Sequence, residues 1–398
     1  MSSPTTLQQP GARLASVDAY RGLVMFLMVA EVWHLCRVAG HFPDSELWKF
    51  LCHHQSHVDW VGCSLHDLIQ PSFTFLVGVA LPFSIAARVA KGQSGTRMVA
   101  HAFWRALVLI VLGIFLRSLH REQTYFTFED TLTQIGLGYG FLFLLGLASG
   151  VVQWTALVLI LVGYWAAFAL YPVPGSGFDY QSLGVPNDWE HLATGLAAHW
   201  NKNVNLAADF DRWFLNLFPR EQPFEYNRGG YQTLSFIPTL GTMILGLLAG
   251  RLLKSERRPG QKIAWLAVAG AVGIVLSLMI HHAGICPLVK RIWTPTWTIY
   301  SGGWCFLILA AMYTVSDVWR FQAWAFPLVV VGMNSIAIYC MSWLMEDFIH
   351  DALVRHIGED VFLIFGETYA TLVSGTAIML VFWLVLHWMY RRRFFLRI

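Results

Sequence analysis

Four histidines crowd into one short stretch, Leu51-Cys52-His53-His54-Gln55-Ser56-His57-Val58-Asp59-Trp60-Val61-Gly62-Cys63-Ser64-Leu65-His66-Asp67. An imidazole with a pKa near neutrality and a partner that orients the ring can act as a general base or accept an acyl group on nitrogen. Asp59 and Asp67 are near enough in sequence to be that partner. His53, His54 and His57 also have the i, i+3 and i, i+4 spacing by which a short helix could offer one face to a metal ion. Zinc would then need one or two more ligands from Asp59, Cys63 or His66, and the chain has no CxxC or zinc-finger spacing. Histidines bonded to headgroups or loop carbonyls account for His53 and His54 without a metal.

The elements that must position these residues are membrane helices. Of 398 residues, 56% are hydrophobic and only 13% charged, where a soluble domain carries about a quarter, and the mean hydropathy is +0.52. These values exclude an ordinary soluble protein. The formal charge of +3 is too mild for a nucleic-acid surface, and no basic block is interleaved with aromatics. Apolar runs of the length that crosses a bilayer fall near 17–36, 64–88, 98–119, 131–149, 152–171, 233–254, 263–285, 298–316, 325–345 and 368–390. We read an all-α, polytopic membrane bundle of about ten helices, with a polar tail over 1–16, one membrane domain over 17–398 and a long loop at about 172–232. That loop is long enough to hold short helices of its own. The fourth and fifth spans are divided only by Ser149-Gly150-Val151.

Short loops carrying Arg88, Lys91 and Arg97, then Arg251, Lys254, Arg257, Arg258 and Lys262, then Arg320 and the Arg391-Arg392-Arg393 tail with Arg397, alternate with longer loops poorer in Lys and Arg. The positive-inside rule puts both termini in the cytoplasm and the histidine-rich segment outside. Cys36, Cys52, Cys63 and Cys286 then fall on or near the side where disulfides are permitted. The first 16 residues lack the basic-then-apolar pattern of a cleaved signal peptide, so the first span is expected to stay in the membrane. An ionisable group within a span costs at least about 2.5–3.5 kcal/mol and is a functional candidate by default. These are Asp18, Arg21 and Glu31 in the first span, His66 and Asp67 at the outer end of the second, and Arg105 in the third, together with neutral Gln134 and Asn334. Two structural alternatives stand beside function: an Asp18–Arg21 pair along one helix, and Arg105 joining helices through a carboxylate such as Asp67.

Several blocks in order resemble the heparan-alpha-glucosaminide N-acetyltransferase family of transmembrane acyltransferases. Leu14-Ala15-Ser16-Val17-Asp18-Ala19-Tyr20-Arg21-Gly22-Leu23 is similar to the family's opening motif. His57 through Gly62, with Ser64, Asp67, Leu68 and Pro71, resembles the block that carries its catalytic histidine. Trp104-Arg105, Gln134-Ile135-Gly136, Asn205-Leu206 with Asp211-Arg212, Leu245 to Gly250, Trp293-Thr294-Pro295 with Ser301, and Gly332-Met333-Asn334-Ser335 follow in family order. Two places depart from the pattern. Glu31 stands near where some members carry an active-site Asn, and Arg228-Gly229-Gly230-Tyr231-Gln232 replaces an acidic, Pro-containing motif of other bacterial members.

The resemblance implies acetyl transfer from cytoplasmic acetyl-CoA to an amino sugar or related glycan on the periplasmic side, with no metal. It implies His57, Asp67 and Asn334 as catalytic, Arg21, Arg105, Gln134 and Ser301 as contacts for acetyl-CoA, and Glu31, Asp59 and Asp211 as contacts for the acceptor. Asn334, Gln134 and Ser301 are also candidates to donate to the carbonyl oxygen, and Arg251, a further candidate for the CoA phosphates, is better read as a positive-inside anchor. The expected partners are acetyl-CoA, a periplasmic carbohydrate, the lipid bilayer and a second copy of the chain, with no nucleic acid. The compact form, without a long lumenal extension, leads us to expect a bacterial inner-membrane protein. A transporter or flippase for a polar metabolite or lipid-linked sugar is the alternative, since many carriers have ten spans with sparse buried charge. No internal repeat between the two halves favours it.

Overall fold

A computed structural model describes residues 14–175, 177–186 and 188–396. Most of the polar N-terminal tail, and Arg397, lie outside them. The helices are α1 Ala15–Val29, α2 Leu35–Gly40, α3 Glu46–Gln55, α4 Ile69–Ala90, α5 Gly95–Arg117, α6 Thr131–Leu147, α7 Gly150–Ala169, α8 Leu206–Phe214, α9 Phe236–Lys254, α10 Pro259–His282, α11 Pro295–Tyr313, α12 Phe326–Met333, α13 Ser335–Leu344, α14 Glu346–Ile357 and α15 Ala370–Arg391. Among the described residues there is no β-strand, only an isolated antiparallel bridge between Val61 and Val289.

Each expected span contains a helix, and these helices differ in length and apolar content. Seven are long and apolar enough to span a membrane, and α12 with α13, bent by 67° at Asn334, makes an eighth if counted as one. The chain is therefore a multi-pass membrane protein, with seven or eight helices that meet both length and hydropathy for a span. The remaining expected spans hold α1, only 15 residues long and carrying Asp18 and Arg21, and α6, only 17. The division between the fourth and fifth spans falls where polar residues permit it. Ser149 ends the apolar run and caps α7 by accepting from the amide of Val152.

The bundle has a centre and a rim. In its most apolar stretch α9 is 72% buried, whereas α10 is 17% buried and presents its apolar surface outward. Close packing at the centre depends on missing side chains. A Cβ on Gly246 would overlap the carbonyl of Phe75 in α4, and one on Gly332 would overlap that of Asp18 in α1. Beyond one end of the bundle, the segment between α7 and α9 forms short 3₁₀ turns and α8, as its length suggests. It packs a second, smaller core in which Trp60, Trp200, Phe168, Val289 and Ile292 are buried together. That core holds the loop after α3 against the loop after α10, and the site lies where they meet.

Candidate active site

The residues from Ser56 to Leu68 fold around one carboxylate. Asp67, fully buried in the 3₁₀ turn before α4, uses Oδ2 to accept from the Ser64 amide at 3.0 Å, the Ser64 hydroxyl at 3.0 Å and the Val58 amide at 3.2 Å. Its Oδ1 faces His57 Nδ1 at 2.8 Å. The loop thereby closes into a cradle for one imidazole. His57 lies beyond the end of α3, whereas His53 and His54 are in its last turn, so the three histidines do not share a helix face. His54 Nδ1 accepts from the Leu65 amide. Among the described residues no three His, Cys, Asp or Glu side chains are grouped to hold a metal ion.

The third member of the group comes from the opposite half of the chain. Lys290, 4% exposed, puts Nζ 3.2 Å from Asp67 Oδ1 and 3.0 Å from His57 Nδ1. Its loop is fixed by the Gly62 amide donating to the Leu288 carbonyl and the Thr294 amide donating to that of Val289. Arg291 donates to the carbonyls of Val58 and Gly229, tying both neighbouring loops together. Burial lowers the His57 pKa and Lys290 adds to that effect, while the Asp67 hydrogen bond acts in the opposite direction. The ring is therefore neutral at pH 7, its Asp67 partner charge-balanced by Lys290. Nδ1 faces both the Asp67 carboxylate and the Lys290 ammonium; when Lys290 donates to Asp67 Oδ1 and the ring proton is on Nδ1, Nε2 presents a lone pair.

His57 borders a cavity of about 570 Å³ that is also lined by Glu31, His66, Glu129, Tyr231, Lys290 and Glu346. A second cavity, of about 910 Å³, follows one face of α4 through Phe73, Val77, Ser84, Arg88 and Lys91. At 1.5 Å per residue this face is about 27 Å long. Arg21, Arg97 and Arg105 join Arg88 and Lys91 in lining it, with no carboxylate among the lining residues. Phe73, 7% exposed, lines both cavities and stands between them.

The sequence candidates distribute unevenly over this geometry. His57 and Asp67 are in contact, and Glu31 lines the same cavity, its carboxylate 4.0 Å from His66. Asp59 is exposed and does not line it. Arg21 and Arg105 line the long cavity. Arg21 is 3.4 Å from Asp18 along α1, and Arg105 donates to the Tyr139 hydroxyl and lies over its ring, so the expected link from Arg105 to Asp67 is replaced by an aromatic one. Gln134, Asp211, Ser301 and Asn334 line neither cavity. Gln134 donates to the carbonyls of Phe128 and Thr233, while Asp211 accepts from the Thr233 amide, and together they fix the segment that delivers Tyr231. Ser301 donates to the Trp297 carbonyl within α11. Asn334, at the break between α12 and α13, donates to the Phe394 carbonyl and accepts from the Leu396 amide.

Lys290, Arg291 and Glu129 are residues that sequence reasoning missed. One signal was available for the first two: adjacent cations in a loop assigned to the outer side, where the positive-inside rule makes them uncommon. Cys36 and Cys52, on the same side as His57, form a disulfide, while Cys63 and Cys286 are free.

No protein-family model matches the chain. It is 24% identical to human heparan-alpha-glucosaminide N-acetyltransferase over 377 residues, 84% of this chain and 53% of the human protein. It is likewise 24% identical to the mouse protein of that name over 387 residues, 87% of this chain and 55% of the mouse protein. The chain is thus a distant relative of these acetyltransferases, as its motifs suggested, and spans about half their length.

Proposed function

We propose that this distant relative of the heparan-alpha-glucosaminide N-acetyltransferases is a transmembrane acetyltransferase, carrying acetyl from cytoplasmic acetyl-CoA to an amino sugar or related glycan on the periplasmic side of a bacterial inner membrane. The observation that carries this reading is an Asp67-bonded imidazole in one cavity, with Phe73 lining both that cavity and a long cationic one that follows α4. Arg88, Lys91 and Arg97 offer charge to the CoA phosphates, and the apolar face of α4 between them and Phe73 suits the pantetheine arm. The basic loops support a cytoplasmic position for that end and for both termini. The Cys36–Cys52 disulfide supports an oxidising compartment for the other.

The thioester carbonyl is then delivered past Phe73 to His57. Nε2 either attacks it, releasing CoA thiolate and leaving acetyl on the ring, or removes a proton from an acceptor that attacks directly. Asp67 holds the ring in the required tautomer. The Lys290 ammonium and the Tyr231 hydroxyl, both lining the cavity, are the candidate donors to the carbonyl oxygen as it gains charge.

Incubation of the purified chain with radiolabelled acetyl-CoA and glucosamine tests the reading. Wild type is expected to label glucosamine, and His57→Ala to lose at least about 10³-fold in rate while retaining protection by CoA against thermal unfolding. Label held on the wild-type protein without acceptor identifies the two-step route. A folded wild type that neither consumes nor binds acetyl-CoA refutes the acetyltransferase and favours a carrier.

A further inference from the structure

Glu129 is an acid in the His57 cavity that no motif singled out. It sits at the end of the loop between α5 and α6, one residue before Asp130, and lines the cavity alongside His57, Tyr231 and Lys290. Its neighbour is fully committed: Asp130 Oδ1 caps α6 at the Leu132 amide, and Oδ2 takes the Tyr339 hydroxyl at 2.8 Å and Arg117 at 3.4 Å. Glu129 has a different arrangement. Its Oε2 accepts from Asn227 Nδ2, and the residue lines the cavity.

Asn227 also fixes where Glu129 stands relative to His57. Its Oδ1 accepts from the Tyr231 amide at 3.2 Å, and the Tyr231 ring lies 6.4 Å from that of His57. Arg291 stacks over Tyr231 and bonds the Gly229 carbonyl of the same turn and the Val58 carbonyl beside His57. The 227–231 turn is therefore a rigid spacer with a carboxylate on one side and the imidazole on the other. On the Glu129 side, Arg220 pins the loop by donating to the Phe126 carbonyl at 2.8 Å.

We propose that Glu129 accepts the proton that the acceptor amine must shed before it can attack, a role distinct from that of His57. This rests on the acetyltransferase reading. An amino sugar reaches neutral pH largely as R–NH3⁺, which has no lone pair. One proton passes to the Glu129 carboxylate, and the freed lone pair forms the N–C bond to the acetyl carbon. The bond from that carbon to the imidazole nitrogen, or to CoA sulfur, breaks. The second proton leaves nitrogen for the imidazole or thiolate so released, and Glu129 returns its proton to water. The balance is acetyl-CoA plus R–NH3⁺ giving the N-acetyl product, CoA–SH and H⁺. Burial pushes the Glu129 carboxyl up to about 7, Arg117 and Arg220 pulling it down and Asp211 and Asp130 pushing it further up. Such a group exchanges protons freely at working pH.

The experiment compares two amines on the full-length chain, each above its uncatalysed background: glucosamine, which must be deprotonated, and hydroxylamine, already neutral at pH 7. Glu129→Gln is expected to slow transfer to glucosamine by about tenfold at pH 7, and the deficit to shrink as rising pH supplies glucosamine already deprotonated in solution. Transfer to hydroxylamine stays within a few-fold of wild type. Glu129→Asp retains the wild-type profile at a lower rate. A Gln variant with the wild-type glucosamine rate, or one that loses both amines equally, overturns the proposal, the second outcome assigning Glu129 a structural role. Wild type that acetylates neither amine refutes the acetyltransferase reading, and this inference falls with it.

Discussion

The two cavities that meet at Phe73 are built by opposite means. The His57 cavity is bounded on one side by loops whose side chains are locked by backbone hydrogen bonds, as when Asp67 gathers two amides and a hydroxyl around a single imidazole. It combines histidines with Glu31, Glu129 and Glu346. The long cavity is built on the faces of α1, α4 and α5 with the α12–α13 break, and its charged lining is cationic, on Arg and Lys side chains. Moving a proton requires groups placed to within a few tenths of an ångström and close to the working pKa. Holding a polyanion requires mainly charge of one sign. The contrast separates a place for chemistry from a place for binding.

Changes to the charge balance around His57 would test that contrast most severely. Lys290→Met removes a group that helps keep the imidazole neutral, so Asp67 then raises the pKa of the ring. The folded protein holds that proton to higher pH, and kcat/KM is expected to fall about 10²-fold at pH 6.5 and to recover partly as the pH rises, with the acid limb of the profile displaced upward. An unmoved limb would separate Lys290 from the chemistry. In the long cavity, Arg88→Ala combined with Arg97→Ala is expected to raise KM for acetyl-CoA about tenfold, with a weakened dependence on salt and a much smaller change in kcat. A loss confined to kcat would contradict the division of labour. Phe73→Ala opens the partition itself. We expect a gain of about two- to five-fold in acetyl-CoA hydrolysis without acceptor, as water reaches the thioester, and a hydrolysis rate equal to wild type would show that Phe73 does not seal it.

Much of the His57 cradle was legible because it is local. His57, Ser64 and Asp67 lie within eleven consecutive residues, so their types and spacing could be read together. Lys290 was not legible, since it is 233 residues from His57 and reaches it only through the packing of the outer core. The polar residues within spans are harder to read from sequence for a different reason. Placing Gln134, Ser301 or Asn334 in an apolar run is costly, which marks them as having a task, but the task can be to satisfy backbone groups freed where helices end or break. Asn334 does this for the tail beyond α15, at Phe394 and Leu396, and Gln134 for the loops at Phe128 and Thr233.

Composition and hydropathy determined that this chain is an all-helical membrane protein, because burying apolar runs in lipid requires backbone hydrogen bonds to be made within each segment. Local spacing offered the histidines with Asp59 and Asp67 as candidate carboxylates, and the family resemblance selected His57 and Asp67. Tertiary structure decided the rest: which distant cation balances that carboxylate, which acids share its cavity, and that Phe73 lines both chambers. Those outcomes depend on which helix faces meet, and glycine contacts between backbones, as at Gly246 and Gly332, set that only once the bundle has assembled.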